Sequence, residues 1–387
     1  MNNTGNISEN SQVEYTEPPK VPKGIKYLIK TYCPPFALVL FCIAVLSGLI
    51  HITCLISEHF ADFYNQNIGA FVRAVLAYMT SWIPFSLAET VIISMPALVI
   101  LLIYISRRAF NKSDEASVRF IVVLVSVLLM LYSIFVLGYG MGYHGTSLSS
   151  KLGLEEKKVS AEELKTTAEK ISQEMAPYLD DISFTKEGNS YMPYSLDEMN
   201  DKLNDTYKKS CEKYDFIQDL RSNIKLIALS EPMTYTHISG VYSYYTGEAN
   251  LNTNFPDYNL PYTAAHEFAH QRGIAPENEA NFVAFLVCME SDDSYIKYSA
   301  YLNMLEYVLN ALYTADYDMW AETVVGLDQR IRMEMGAYSA FFEQYRESVA
   351  SDISDAVNDT YLKTHGQKAG SESYGMVVDL AVAYYKK

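Results

Sequence analysis

Three apolar runs of membrane length lie in the first 140 residues, and they constrain this chain more than any other feature. They cover roughly Pro35 to Ile56, Leu87 to Ile105 and Val118 to Leu137. A helix that spans a bilayer needs about 20 mostly apolar residues. Buried core helices are the alternative, but three nearly uncharged runs in succession favour membrane spans. We therefore predict a membrane domain over residues 34–138.

Basic residues indicate how these spans are oriented. One group precedes the first span and another separates the second from the third: Lys20, Lys23, Lys26 and Lys30, then Arg107, Arg108, Lys112 and Arg119. Cytoplasmic loops carry the excess of Lys and Arg. We predict a cell-membrane protein with a disordered cytoplasmic tail over residues 1–33 and with everything after the third span outside the cytoplasm.

Acidic charge is concentrated after the spans. The net charge is −16, and because nine Lys and Arg nearly balance eight Asp and Glu over residues 1–138, almost all of it lies beyond residue 138. This is the opposite of the basic stripe that nucleic-acid binding needs, so we expect no nucleic-acid partner. We predict a linker over residues 139–149 and an acidic extracytoplasmic domain over residues 150–387.

Local patterns in this domain predict an α+β, mainly helical fold. Ser160 with Glu163 forms a capping box ahead of one helix, and Ser195 opens another. Strand patterns cover Ile224 to Leu229 and Ile238 to Tyr245, and the chain is almost wholly helical from Tyr262. The second strand is either an edge strand along a cleft or a plain hairpin strand.

Two further segments leave alternatives open. Residues 58–86 have amphipathic character, which suits either a helix at the outer membrane interface or a helix packed on the domain. Cys211 and Cys288 could pair outside the cell, but two cysteines form no framework, and we favour free thiols.

The motif His266-Glu267-Phe268-Ala269-His270 carries the chemistry. Histidines four apart on a helix share one face, and the glutamate beside them can act as a base. A catalytic zinc needs three protein ligands and one open position. A surface helix with two chance histidines is the alternative interpretation. Gly273 can end the helix and Pro276 can open the next, so Glu277 and Glu279 fall where a third ligand is needed.

Several segments resemble a bacterial domain-of-unknown-function family of membrane-anchored HExxH proteins. They are His266 to Gly273, Glu279 to Ala284, Thr246 to Asn250, and a tail with Tyr361-Leu362-Lys363, Gln367, Gly370 and Ser373-Tyr374-Gly375. The resemblance, together with the three spans, implies a zincin-like metallopeptidase domain that carries Zn²⁺.

The site also resembles the gluzincins, whose third ligand is a glutamate on the helix after HExxH. The string Glu279-Ala280-Asn281 is similar to their ligand helix and implies that His266, His270 and Glu279 hold zinc. The interval from His270 to Glu279 is shorter than is usual there, so Glu277 remains a competitor. Metzincins share the HExxHxxG opening, but their third histidine would fall at Pro276, which cannot bind metal.

The predicted function is zinc-dependent hydrolysis of peptide bonds in an extracytoplasmic or envelope protein, with the lipid bilayer as the other partner. Glu267 is the expected general base. Tyr374 or His365 could stabilise the oxyanion, although a packing role suits Tyr374 better. A catalytically weak zinc-binding receptor or scaffold is the alternative, and a module that binds a partner through its acidic surface is the third.

Overall fold

The computed structural model describes residues 24–155, 157–345 and 373–387, with side chains from residue 376 in the last stretch. It is mainly helical, with one small sheet. The N-terminal part contains α1 (Ile25–Tyr32), α2 (Pro35–Ile56), α3 (Glu58–Tyr64), α4 (Ala70–Ser81), α5 (Leu87–Phe110) and α6 (Asp114–Gly138).

Three of these helices, α2, α5 and α6, are long and apolar enough to cross a membrane. They confirm the three apolar runs: α5 begins where its run does, after the cap Ser86, and ends later, whereas α6 begins earlier because Ser113 caps it. Each serine side chain accepts a backbone hydrogen bond in the first turn, which satisfies an otherwise unpaired amide. Helix α6 packs against both α2 and α5.

The segment between α2 and α5 packs on the domain by one face. Helix α3 continues through a π-helical turn (Asn65–Gly69) into α4. Arg73 of α4 is buried and donates hydrogen bonds to the Gly138 carbonyl at 3.0 Å and the Arg272 carbonyl at 3.3 Å. The other face of α4 exposes Phe71, Met79 and Trp82. The packing on the domain predicted for residues 58–86 is therefore observed, and the exposed apolar side chains lie on another side of the same helix.

The remaining helices form the domain. They are α7 (Leu148–Leu152), α8 (Ala161–Met175), α9 (Leu196–Lys213), α10 (Ser230–Thr234), α11 (Asn259–Gln271), α12 (Glu277–Met289), α13 (Ser294–Ala315), α14 (Tyr317–Gly326), α15 (Gln329–Phe342) and α16 (Ser373–Lys386). The capping box of Ser160 and Glu163 is present, and Ser195 caps α9. Helices α11, α12 and α13 are nearly enclosed and provide half of the buried residues of the main apolar core. All five cysteines lie in the described residues and are free thiols.

The sheet has three short strands: β1 (Lys225–Leu226), β2 (Gly240–Ser243) and β3 (Glu248–Leu251). Strand β3 is central, with β1 parallel to it and β2 antiparallel, so β2 is an edge. The two predicted strands exist but are shorter than their sequence patterns. The backbone after β1 turns into α10, whose first amides need acceptors outside the sheet.

Carboxylates join the sheet region to the start of α5. Glu248 of β3 is buried and accepts hydrogen bonds from the amides of Leu87 and Ala88, at 3.2 and 3.0 Å. In return, Glu89 of α5 accepts from the amides of Ala228 and Leu229, at 2.9 and 2.8 Å. Each carboxylate satisfies unpaired amides at the start of a helix and lies at the positive end of its dipole.

Candidate metal centre

Helix α11 carries the HExxH motif in the interior of the domain. Glu267 and His270 are almost fully buried, and His266 is nearly so. A hydrogen bond from another helix anchors α11: the Tyr207 hydroxyl of α9 donates to the Ala265 carbonyl at 2.6 Å. Arg272, just after the helix, stacks on the Tyr207 ring at 3.9 Å. The histidines are therefore held on a rigid element, as a preformed metal site requires.

A tight corner at Gly273 brings an acidic side chain, the third candidate ligand, next to the two histidines. Gly273 has φ 93°, and a Cβ there would lie 2.4 Å from Nη2 of Arg73, so only glycine fits this corner. Three residues later, Pro276 precedes α12, which begins at Glu277. The Glu277 carboxylate reaches Nε2 of His266 at 3.3 Å and Nε2 of His270 at 3.5 Å.

These distances fit a tetrahedral zinc ion. Ligand atoms about 2.1 Å from such an ion lie roughly 3.4 Å from one another. One ligand atom from each of His266, His270 and Glu277 falls within 4.8 Å of the others. Two imidazole nitrogens and a carboxylate oxygen form a donor set that suits zinc and leaves a fourth position for water or substrate.

The second nitrogen of His270 is fixed by groups from outside the motif. Nδ1 lies 2.8 Å from the Ile274 carbonyl and 2.9 Å from the Tyr139 hydroxyl, and that hydroxyl lies 3.3 Å from the Ala275 carbonyl. Because a carbonyl only accepts, Nδ1 carries the proton and Nε2 offers its lone pair to the site. Tyr139 directly follows α6, so the end of the third apolar helix contacts a candidate ligand.

Two buried atoms at the site lack hydrogen-bond partners among the described residues: Nδ1 of His266 and Oε2 of Glu267. Asn281 of α12 interacts with the His266 ring. Such unpaired atoms are rare in protein interiors and mark places where an ion, water or substrate completes the structure.

Glu267 is held against the edge strand. A Cβ at Gly240 would lie 2.6 Å from Oε1 of Glu267, so the strand can come this close only with glycine there. The Glu267 carboxylate also accepts a hydrogen bond from the backbone amide of Tyr242. Gly240 and Tyr242 of β2 thus position this carboxylate beside the histidines.

The electrostatics are those of a site built for a cation. Burial would lower the pKa of His270, but the Glu277 carboxylate outweighs it and raises that pKa to about 9. Burial would raise the pKa of Glu277, but the two histidines hold it well below its ordinary value. Burial lowers the pKa of His266 and raises that of Glu267 to about 8. Without an ion, the proton on His270 balances Glu277, and a bound divalent cation would replace it.

The structure corrects the predicted ligand set at one position. His266, Glu267 and His270 come together as predicted, but Glu279 points away, and its carboxylate accepts a hydrogen bond from the Leu148 amide at 2.8 Å. Glu277 faces the histidines instead, because the Gly273 corner brings α12 back with its first residue towards them. The side chain of Tyr374 and all of His365 lie outside the described residues.

Sequence reasoning missed Tyr139 and Asn281. Residues 139–149 had suggested only a link, whereas Tyr139 contacts His270 and is stacked on Tyr244 at 5.5 Å between ring centres. Asn281 could have been found, since it lies four residues after Glu277 and shares its face of α12.

A cavity of about 770 Å³ opens over the cluster. One wall is the cluster-bearing face of α11, and another is strand β2 with the residues leading into it. Polar and aromatic side chains from α13 and α15 also line the cavity: Asn303, Tyr307 and Tyr338. The cavity is large enough for several residues of an extended chain.

The fold and the site define a class: mainly helical proteins with a small three-stranded sheet, three membrane-length apolar helices and a buried His-His-Glu cluster. The chain belongs to the family described as "Protein of unknown function (DUF3810)", whose model matches residues 64–382. No curated protein matches the chain. No solved structure matches it either.

Proposed function

We propose that the protein is a membrane-anchored, zinc-dependent metallopeptidase in which His266, His270 and Glu277 hold the metal. One observation carries this proposal: ligand atoms of His266, His270 and Glu277 lie within 4.8 Å of one another beside the buried Glu267 carboxylate, whose Oε2 has no hydrogen-bond partner among the described residues. A purely structural zinc site needs four protein ligands and no base, whereas a catalytic site keeps one position open.

Each residue of the cluster has a distinct role. A bound zinc ion would supply an acidic water and polarise the substrate carbonyl. Glu267 accepts the proton of the attacking water and passes it to the leaving nitrogen. The Tyr242 amide keeps its carboxylate in place, and Tyr139 with the Ile274 carbonyl keeps Nε2 of His270 directed at the ion. The packed walls exclude bulk water, which strengthens each of these interactions.

We infer that α2, α5 and α6 cross the membrane with the N terminus in the cytoplasm and the catalytic domain outside. The domain contacts the ends of these helices that are far from Arg107 and Arg119, through Glu248 at the start of α5 and Tyr139 at the end of α6. A phosphatase active only outside the cytoplasm tests this. Fused after Lys387 it should be active, and inserted after Asn111 it should be inactive.

The site would then lie close to the bilayer surface, because Tyr139 is the first residue after α6. The exposed apolar face of α4 suits a position in the interface between lipid and water. We therefore expect the substrate to be a segment of an extracytoplasmic or membrane protein that passes near the outer surface of the bilayer.

The full chain, purified in detergent without chelator, tests the enzyme proposal. Elemental analysis should give one zinc per chain, and the His266→Ala variant should lose it. A peptide mixture, with products identified by mass spectrometry, should be cleaved by the wild type and not by Glu267→Gln, which should still bind zinc. Absence of zinc from folded protein, or full turnover by Glu267→Gln, would reject the proposal.

A second function is favoured by the contact between Tyr139 and His270, which joins a candidate ligand to an apolar helix. A zinc-binding receptor or scaffold could use this contact to relay the state of the site. Zinc binding by a wild type that cleaves nothing in the mixture would support that function.

A further inference from the structure

The cavity continues past the metal cluster along α11 for two helical turns. Asn259, Thr263, His266 and His270 line it at helical spacing. Asn259 precedes His266 by seven residues, which corresponds to roughly 10 Å along a helix axis. An extended chain advances about 3.3 Å per residue. A peptide lying along this wall would therefore pass Asn259 about three residues from the bond at the metal.

Asn259 presents an unused acceptor to the cavity. Its side chain is buried, and Oδ1 has no hydrogen-bond partner in the part of the chain that the structure describes. Its Nδ2 donates to Oδ1 of Asn303 at 3.1 Å, and Nδ2 of Asn303 donates to the Ser299 carbonyl at 2.8 Å. Since that carbonyl can only accept, the orientation of both amides follows, and Oδ1 of Asn259 is the free atom.

Asn281 presents the opposite group nearer the metal. It is also buried, and its Nδ2 lacks a partner within the described residues. Its Oδ1 lies 3.4 Å from the Tyr307 hydroxyl. The cavity thus holds one buried acceptor and one buried donor, and leaving either unpaired is unfavourable. This is the pair of groups that complements the N–H and C=O of a peptide backbone.

The side chains around these two amides indicate which kind of peptide the cavity can accept. Besides His237 and the tyrosines, the ionisable side chains among the described residues that line the cavity are those of His266, Glu267, His270 and Glu277, and none is Lys or Arg. Aromatic rings of Phe255, Tyr262 and Tyr338 cover much of the remaining wall. A charged side chain would be desolvated here without a counter-ion, which is unfavourable.

We propose that Asn259 and Asn281 form a backbone-binding subsite, which holds an extended polypeptide with uncharged side chains in register with the metal cluster. The subsite rests on the proposed function, since the metal cluster defines where the scissile bond lies. Recognition at this subsite depends mainly on backbone groups and on the absence of charged side chains. We therefore expect the protein to accept peptides of many different uncharged sequences.

Hydroxamates separate the subsite from the metal site, because acetohydroxamate can contact only the ion. The zinc-loaded full chain in detergent would be titrated with acetohydroxamate and with two trialanine probes. One probe carries the hydroxamate at the C terminus of N-acetyl-trialanine, and the other carries it on an N-terminal succinyl group, so that both chain directions are sampled.

In the wild type, one trialanine probe should bind at least about tenfold more tightly than acetohydroxamate, the equivalent of one or two net hydrogen bonds. Asn259→Leu should remove most of this advantage without changing acetohydroxamate affinity or zinc content. Asn310→Leu, at an exposed position of α13, is the matched control and should have no effect.

Three results would overturn the subsite. A folded, zinc-loaded Asn259→Leu variant that keeps the full trialanine advantage would show that the amide holds only water. A wild type that binds acetohydroxamate but gives trialanine no advantage would reject the subsite and leave the metal site standing. A protein that binds no hydroxamate at all would reject both.

Discussion

At the scale of single residues, the candidate site depends on which glutamate follows the Gly273 corner at the right position. Glu277 and Glu279 both lie in the first turn of α12, yet their side chains point in different directions. Glu277 contacts the histidines, whereas Glu279 accepts a hydrogen bond from the Leu148 amide. A helix turns by about 100° per residue, so side chains two residues apart point in nearly opposite directions.

Zinc content should distinguish these two glutamates. Glu277→Ala should lower zinc affinity by more than about 100-fold, because a ligand is lost from a three-residue site. Glu279→Ala should retain zinc and lower stability by about 1–2 kcal/mol, since it leaves the Leu148 amide without its acceptor. Competition with a chromophoric chelator and thermal unfolding measure both effects. Equal zinc loss in the two variants would contradict the assignment.

Tyr139 should act as a positioning residue for His270. Tyr139→Phe keeps the ring against Tyr244 but removes the hydroxyl, and we expect zinc affinity to fall by about 10–100-fold. Tyr64→Phe is the control, because the Tyr64 hydroxyl bonds the Leu137 carbonyl at the same end of α6 without contacting a histidine. Chelator competition should separate the variants, and unchanged affinity in Tyr139→Phe would show that the Ile274 carbonyl alone orients the ring.

The sequence alone identifies His266, Glu267 and His270, because their spacing on one helix is a local property. For the third candidate ligand it leaves both Glu277 and Glu279, because the choice between them depends on the angle between α11 and α12 at the Gly273 corner. That angle is set by Arg73, which bonds the Arg272 carbonyl from nearly 200 residues away in the chain. The same holds for Tyr139, because nothing near it in the sequence indicates that its side chain contacts His270.

At the scale of elements, the helices that begin with capping residues are predicted well and the sheet is predicted poorly. Ser160, Ser195 and the three apolar runs specify helix positions through contacts within a few residues. Strand β1 is only two residues long and parallel to β3, so its existence depends on long-range pairing. The pattern over Ile224 to Leu229 indicates this strand but not its short length, and the central strand β3 was not predicted.

The two hydrogen bonds from the start of α5 to Glu248 of β3 should contribute measurably to the free energy of unfolding. Glu248→Ala removes the acceptor of two amides at the start of α5, and we expect a loss of about 1–2 kcal/mol. Thermal unfolding of the full chain in detergent measures this loss, with exposed Glu231→Ala of α10 as control. An unchanged unfolding temperature would mean that solvent or lipid headgroups satisfy those amides equally well.

At the scale of the whole molecule, no boundary separates an anchor from a soluble domain at residue 150. Asn65 and Arg73 bond the corner after α11, Tyr139 bonds His270, and the Leu148 amide bonds Glu279. All four belong to segments before residue 150. The acidic charge and apolar runs divide the chain by composition, but the contacts do not follow that division.

A fragment of residues 150–387 should therefore bind zinc at least about tenfold more weakly than the full chain, because it lacks the Tyr139 hydroxyl. A chain that begins at Ser57 lacks α1 and α2 but keeps the four contacts, and we expect it to bind zinc nearly as tightly as the full chain. Chelator competition in one detergent compares all three. Full affinity in the shorter fragment would show that the site is self-sufficient.

The Tyr139 contact has a consequence for how this protein is inherited. The family match begins at Tyr64, so the recurring segment includes α5, α6 and the residues that bond the corner, while α2 falls outside it. A gene fusion that moved only residues 150–387 to another anchor would separate His270 from Tyr139. Helix α6 and the His-His-Glu cluster are thus expected to be transmitted as one module.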